Sequence, residues 1–322
     1  MGARASFPMV TLTKNRIIVV TGANTGIGYE IAKHCAFMGA TVILACRSEA
    51  RARNAMERMQ QEYESEVITA HGENNRLAIE FMHVDLSSFK SVVTFCDEFK
   101  KTGRQLHVLF CNAGLGMAPY SVTVDGLELI LQANYLGHFL MIAKLLDVMK
   151  RSGPDCRILL TASSAHSAAR RIDISTMNFT GNERDYSQIV YYGRSKAYQI
   201  MQAITMTSRL KGSNISVNSF HPGLVATEFG RYINNSCLKC CVKCICGCGC
   251  ARTPIQGATC GIDLAVNPDY SGVSGHYWID CRITEPKSCV RNEETQIAVW
   301  RESFKFLKDY LTEDEINAME GK

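Results

Sequence analysis

The apolar run Arg16–Thr21 passes without a break into Thr21-Gly-Ala-Asn-Thr-Gly-Ile-Gly28, and a helical pattern follows to Met38 before Gly39 stops it. A buried strand that turns on glycines directly into a helix leaves few folds open. Glycines at 22, 26 and 28 let the backbone bend tightly and approach a ligand, and the helix N-terminus they open favours an anion such as pyrophosphate. The Gly-x-x-x-Gly-x-Gly spacing is wider than the common Gly-x-Gly-x-x-Gly fingerprint, so the strand–loop–helix context carries the reading: this loop binds a dinucleotide.

The same alternation continues down the chain. Strands are predicted at Thr41–Cys46, Leu77–Val84, Leu106–Cys111, Arg157–Ala162, Ile215–Phe220 and His276–Ile279. Helices are predicted at Ser48–Glu64, Ser88–Lys101, Gly126–Met149 and through Tyr192 to about Leu210. Near-continuous apolar strands separated by helices mean an α/β fold with a doubly wound, Rossmann-like parallel sheet covered on both faces, and ligands beyond the strands' carboxyl ends. One domain over residues 14–312 is expected, with tails at 1–13 and 313–322 and a Cys-rich insertion at 231–255.

Composition narrows the function. A net charge of +4 without a Lys/Arg block excludes a nucleic-acid binder. Met1–Pro8 has no apolar signal core, and the sequence reading finds no run of the roughly 18 to 20 apolar residues a membrane span needs. A cytoplasmic protein is expected, and with it reduced thiols: Cys35, Cys46 and Cys111 fall inside apolar strand or helix patterns, as small buried side chains.

The chemistry is written in Tyr192-Gly-Arg-Ser-Lys196. Residues four apart stack on one face of a helix, so an ammonium lies beside a phenol, the arrangement that lowers a tyrosine pKa toward working pH. Tyr192 is the candidate general acid/base for a carbonyl or alcohol whose hydride is moving, and Lys196 its charge partner and a ligand for the nicotinamide ribose. Ser163 and Ser164 follow the fifth strand, where a hydroxyl donor to the substrate oxygen is wanted. Asn134 is a polar residue amid Ile130, Leu131, Leu136 and Phe139. At the end of the second strand, where an acid would select NAD, stands Arg47, which suits the 2′-phosphate of NADP, with Asn24 and Thr25 nearby. Asp85 is placed for the adenine amino group, and Asn112-Ala113-Gly114 for its ribose.

Together Thr-Gly-Ala-Asn-Thr-Gly-Ile-Gly28, Asn112-Ala-Gly114, Asn134, Ser164, Tyr192-x-x-x-Lys196 and His221-Pro-Gly223 resemble the short-chain dehydrogenase/reductases over residues 14 to 312. Val-Ile-Leu-Ala-Cys-Arg47, Leu-Gly-His-Phe139 and Gly-Val-Ser-Gly-His-Tyr277 narrow the likeness to the retinol dehydrogenase and WW domain-containing oxidoreductase-like branch. The resemblance implies a tetrad: Asn134 holding a relay water, Ser164 (the second of its Ser-Ser pair) the carbonyl, Tyr192 the proton, and Lys196 the tyrosine and ribose. To the cofactor residues already named it adds Ile27, Leu86, Pro222, Gly223, Val225 and Thr227, and it implies dimerisation through Gly126–Met149 and Gln188–Leu210. The two tryptophans, Trp278 and Trp300, lie within the dehydrogenase region, so no Trp-Trp module precedes it.

Seven of the fifteen cysteines crowd between Cys237 and Cys250, where this family has its substrate lid. Three readings stay open: a metal site, disfavoured by the spacing and the absence of histidine; an S-acylated patch with Lys239, Lys243 and Arg252 giving peripheral contact with an intracellular membrane; or a thiol-rich loop without a role. The sequence thus predicts an NADP-dependent oxidoreductase, without a metal, acting on a lipophilic small-molecule alcohol or carbonyl such as a retinoid or steroid. Its rival is a cofactor-binding sensor or interaction protein with little turnover.

Overall fold

In the computed structural model, which describes residues 6–68, 76–169, 171–225 and 251–322, the alternating strands join one sheet. Strands β1 (Ile17–Thr21), β2 (Thr41–Cys46), β3 (Ile79–His83), β4 (Val108–Cys111), β5 (Cys156–Thr161), β6 (Ile215–His221) and β7 (Tyr277–Ile279) run parallel in the order β3-β2-β1-β4-β5-β6-β7. β8 (Arg282–Ile283) closes the edge antiparallel to β7. Both β2 and β4 pair with β1, so the chain reverses its direction of travel there and opens a crevice at the strands' carboxyl ends. β1, β2, β4 and β5 are buried along their whole length, which is why their sequences read as unbroken apolar runs rather than alternating ones.

Helices α1 (Gly26–Phe37), α2 (Glu49–Tyr63), α3 (Phe89–Lys101), α4 (Gly137–Lys150), α5 (Gln188–Arg209), α6 (Pro254–Val266), α7 (Glu293–Leu307) and α8 (Glu313–Met319) cover the sheet. Two apolar clusters result. Ile31, Ala52 and Ile262 place α1, α2 and α6 in one; Phe95, Phe139, Met201 and Trp300 place α3, α4, α5 and α7 in the other.

The structure revises three expectations. The predicted helix Gly126–Met149 begins later, because Gly126 at φ 78° closes a turn from Thr123. The helical path starts at Leu129, capped by the Glu128 carboxylate on the amides of Ile130 and Leu131, both at 2.7 Å. It passes through a π-turn at Gln132–Leu136 before α4. The stretch Leu129–Lys150 is in fact long and apolar enough to cross a membrane by composition, but it lies almost wholly inside the protein as a core helix.

Residues 313–319, expected in a tail, form α8 with a Thr312/Glu315 capping box, and Met319 is fully buried. Glu315 receives Lys144 of α4 at 2.8 Å, and Glu320 receives Trp300 Nε1 and Arg209 at 2.6 Å each. The chain's own α7 and α8 thus lie against α4 and α5, on the helices expected to dimerise. Because Glu315 and Lys144 are both nearly buried, Glu315→Ala leaves an unpaired ammonium inside the protein. The variant should lose about 3 kcal/mol in urea denaturation; an unchanged midpoint would show that α8 is not anchored by this pair.

Candidate active site

The crevice at the β1–β4 switch is a cleft of about 490 Å³. Its floor is the glycine loop. Gly22 (φ 67°) and Gly26 (φ 59°) sit in the left-handed region, and a Cβ on Gly28 would stand 2.5 Å from the Gly22 carbonyl oxygen. Thr25 caps α1 without a side-chain hydrogen bond, and the first turn carries no acid, so among the described residues no side-chain cap competes for the amides that open α1.

Thr21 Oγ1 holds the loop to β4. It accepts from the amides of Asn112 and Ala113, both at 2.9 Å, while Asn112 Nδ2 donates to the Thr21 carbonyl at 2.9 Å. His138 stands 2.9 Å away through Nε2, and its Nδ1 lies 3.1 Å from the Asn134 carbonyl oxygen. Burial lowers the His138 pKa to about 4, which keeps the ring neutral, with Nδ1–H donating to Asn134 and Nε2 accepting from Thr21. Under the loop the Cys46 thiol lies against the Gly22–Asn24 backbone, and burial pushes it up to about 11, so it stays protonated.

Gly22, Asn24, Thr25, Gly26, Ile27, Gly28, Arg47, Asp85, Leu86, Asn112, Ala113 and Gly114 all line this cleft. Arg47 Nη1 lies 3.9 Å from Asp85 Oδ2, while Asp85 Oδ1 accepts from the amide and hydroxyl of Ser87. Arg51, in the first turn of α2, lines the same cleft. Pro222, Gly223 and Val225 follow β6 outside the cleft lining: Arg252 donates to the Pro222 carbonyl and packs on Gly223, and Val225 packs toward Gly257. Thr227 and the cysteine run Cys237–Cys250, with Lys239 and Lys243, lie outside the described residues. Among the described residues no group of His, Cys, Asp or Glu could hold a metal.

Behind the cleft wall the remaining candidates converge. A Cβ on Gly114 would stand 3.3 Å from Asn134 Oδ1 and 3.6 Å from Lys196 Nζ. Asn134 is fully buried. Its Oδ1 accepts from the Leu115 amide at 2.7 Å, and its Nδ2 donates to the Leu115 carbonyl and to Ser195 Oγ. Its carbonyl, which lies in the π-turn, takes His138 Nδ1 and Gln199 Nε2. His138 and Gln199 side chains thus both reach the main-chain carbonyl of the residue expected to hold a relay water.

The two adjacent serines are placed differently. Ser163, not Ser164, is hydrogen-bonded to the Tyr192 side chain; Ser164 is exposed at the start of the 3₁₀ turn Ser164–Ala169. Gly193 makes this approach possible, because a Cβ there would meet the Ala165 carbonyl oxygen at 2.5 Å. Tyr192 is 6% exposed, packed with Met117, Ala118 and Ile130, and burial holds its phenol well above the ordinary tyrosine range, with a smaller lowering from Ser163. Lys196 Nζ lies 5.8 Å from the Tyr192 ring centroid and donates to the Thr161 carbonyl at 2.6 Å and to Gln199 Oε1 at 3.0 Å. Burial lowers its pKa to about 7.

That shift has a signed consequence. The folded pKa of about 7 lies below the ordinary lysine value of 10.5, so the unfolded chain binds more protons between those values and stability rises with pH across that window. Below pH 7 the buried ammonium exerts its full cost. Lys196→Met removes it, so the melting-temperature difference, variant minus wild type, should be greatest below pH 7 and shrink toward pH 10; a pH-independent difference would contradict the shift.

Comparison with known proteins bears on this arrangement. A family model described as short chain dehydrogenase matches residues 16–237. Retinol dehydrogenase 14 of Mus musculus is 34% identical over 290 residues, covering 90% of this chain and 85% of that protein. WW domain-containing oxidoreductase of Homo sapiens is 33% identical over 302 residues, covering 92% and 69%. Of solved structures, a Pseudomonas aeruginosa RhlG/NADP active-site complex superposes with a TM-score of 0.62 at 24% identity, covering 85% of this chain and 98% of that one.

Proposed function

The chain belongs to the short chain dehydrogenase family, and from that premise we propose that it is an NADP(H)-dependent oxidoreductase acting on a lipophilic alcohol or carbonyl. The observation that carries the proposal is the convergence of Ser163, Tyr192 and Lys196 directly behind Gly114, where the glycine-floored cleft ends. The residues suit a dinucleotide: α1 presents uncapped amides, the absence of side chains at Gly22 and Gly28 lets the loop pack closely on Ala113 and on itself at the cleft floor, and Arg47 with Arg51 offers positive charge for a 2′-phosphate.

When bound, the dinucleotide supplies or takes the hydride. The protein's own residues manage the proton and the oxygen. Ser163 donates a hydrogen bond to the substrate oxygen, and Tyr192 Oη gives up or takes the proton at that oxygen. Burial alone favours a neutral phenol; the Lys196 ammonium opposes it by stabilising phenolate charge, and the same ammonium has the position to bind ribose hydroxyls. Asn134 fixes the Leu115 backbone and Ser195, and so acts as the frame on which α5 is seated.

Support for a lipophilic substrate comes from the lining next to Tyr192. Met117, Ala118, Ile130 and Tyr186 pack with it, and Tyr120, Phe179, Tyr186 and Tyr191 form a continuous aromatic set with ring centroids 4.7 to 5.4 Å apart. The relatives' names add retinol as a candidate. We place the activity on the cytoplasmic side, with the Cys237–Cys250 segment as the part that would meet an intracellular membrane.

Two measurements test this reading. Arg47→Glu should weaken NADPH binding, followed by nicotinamide fluorescence, by about tenfold or more while changing NADH little. Equal losses for both would remove Arg47 from 2′-phosphate recognition. NADPH oxidation with retinaldehyde, steroid ketones and short aldehydes should fall at least about a hundredfold in Tyr192→Phe with NADPH binding retained. Tight NADPH binding without turnover by the wild type would favour a cofactor sensor.

A further inference from the structure

Three residues past Lys196, on the same face of α5, Gln199 is fully buried and uses both ends of its amide. Its Oε1 accepts from Lys196 Nζ at 3.0 Å, and its Nε2 donates to the Asn134 carbonyl at 3.0 Å. That carbonyl lies in the π-turn Gln132–Leu136, whose backbone pairing differs from that of the α-helix that follows. It is held from the other side by His138 Nδ1, and His138 in turn meets Thr21 Oγ1 under the glycine loop. One hydrogen-bonded path therefore runs from the lysine through an amide and an imidazole to the floor of the cleft.

We infer that Gln199 is a positioning residue: it bridges Lys196 to the Asn134 carbonyl directly, fixing the ammonium and favouring its charged state. Lys196 has two oxygen acceptors, Thr161 O and Gln199 Oε1, and only the second is a side chain that substitution can remove. An ammonium in a dry interior keeps its proton only as far as its acceptors compensate for lost water. Removing one of two shifts the balance toward the neutral amine. Its bearing on hydride transfer rests on the proposed function; its effect on the lysine does not.

The titratable groups that face Lys196 are few, which makes the reading clean. They are Tyr192 on its own helix, His138 on α4 and His221 at the end of β6. Burial lowers both histidines to about 4, so they are neutral throughout the range in which the lysine titrates, and burial holds Tyr192 above it. Among the described residues, the ionisation of these neighbours does not overlap that of Lys196.

The test is a ¹³C-lysine NMR titration of the full chain without cofactor, comparing wild type, Gln199→Leu, Gln199→Met and Gln199→Glu. Wild-type Lys196 should titrate far below the other lysines. Leucine, and methionine as a second apolar variant of similar length, should lower its midpoint by about one pH unit. Glutamate keeps an oxygen toward the ammonium whether its carboxyl is ionised or protonated, so it should return the midpoint to the wild-type value or above. A midpoint common to all four proteins would overturn the inference, as would an equal fall in the glutamate variant. Because no turnover is read, failure of the proposed reaction leaves this outcome intact. If turnover is found, the alkaline limb of kcat/KM should move to lower pH in the two apolar variants and not in Gln199→Glu.

Discussion

A lysine ammonium buried beside a phenol is costly, and much of the surrounding structure can be understood as what allows it. Lys196 is 4% exposed, and in place of water it has the Thr161 carbonyl at the end of β5 and the Gln199 amide. Both acceptors are themselves fixed, one by the sheet and the other by the Asn134 carbonyl in the π-turn. Moving any of these elements would leave a charge without compensation in a medium where that is severely penalised. The site is therefore built on a strand end and two long helices, while loops supply its walls.

The glycine-floored cleft and the Tyr192–Lys196 pair share a single thin partition. Gly114 lets Asn134 and Lys196 approach from one side while its other side lines the cleft. The Thr21 hydroxyl locks that segment to the glycine loop through the Asn112 and Ala113 amides. The cleft floor and the segment that packs on the tyrosine–lysine pair are thus positioned by the same few hydrogen bonds. Over the tyrosine, Met117 and Ala118 belong to the loop that follows Gly114, so access to Tyr192 is set by a segment that also borders the cleft.

Much of this was legible in the sequence because it follows from local rules. Strand identity came from apolar continuity, the glycine loop from its place between a strand and a helix, and the Tyr192–Lys196 pair from helical spacing. Less legible was whatever depends on register or distant contact. Ser163 and Ser164 are adjacent and chemically equal; only the close packing that Gly193 permits decides which one faces Tyr192. The π-turn in what reads as one helix, and the seating of α8 through Glu315 and Glu320, depend on partners far along the chain. Gln199 was visible at i+3 from Lys196, but its role needed the Asn134 carbonyl to be located first.

The measurement that tests the central claim most directly is a crystal structure of the protein with NADPH. The account predicts the 2′-phosphate against Arg47, the pyrophosphate on the amides that open α1, the nicotinamide-ribose hydroxyls on Lys196 Nζ, and Tyr192 Oη uncovered toward the nicotinamide once Met117 and Ala118 have moved. A cofactor bound in the cleft with its nicotinamide directed away, leaving Tyr192 beneath Met117 and Lys196 still bonded only to Thr161 and Gln199, would contradict it.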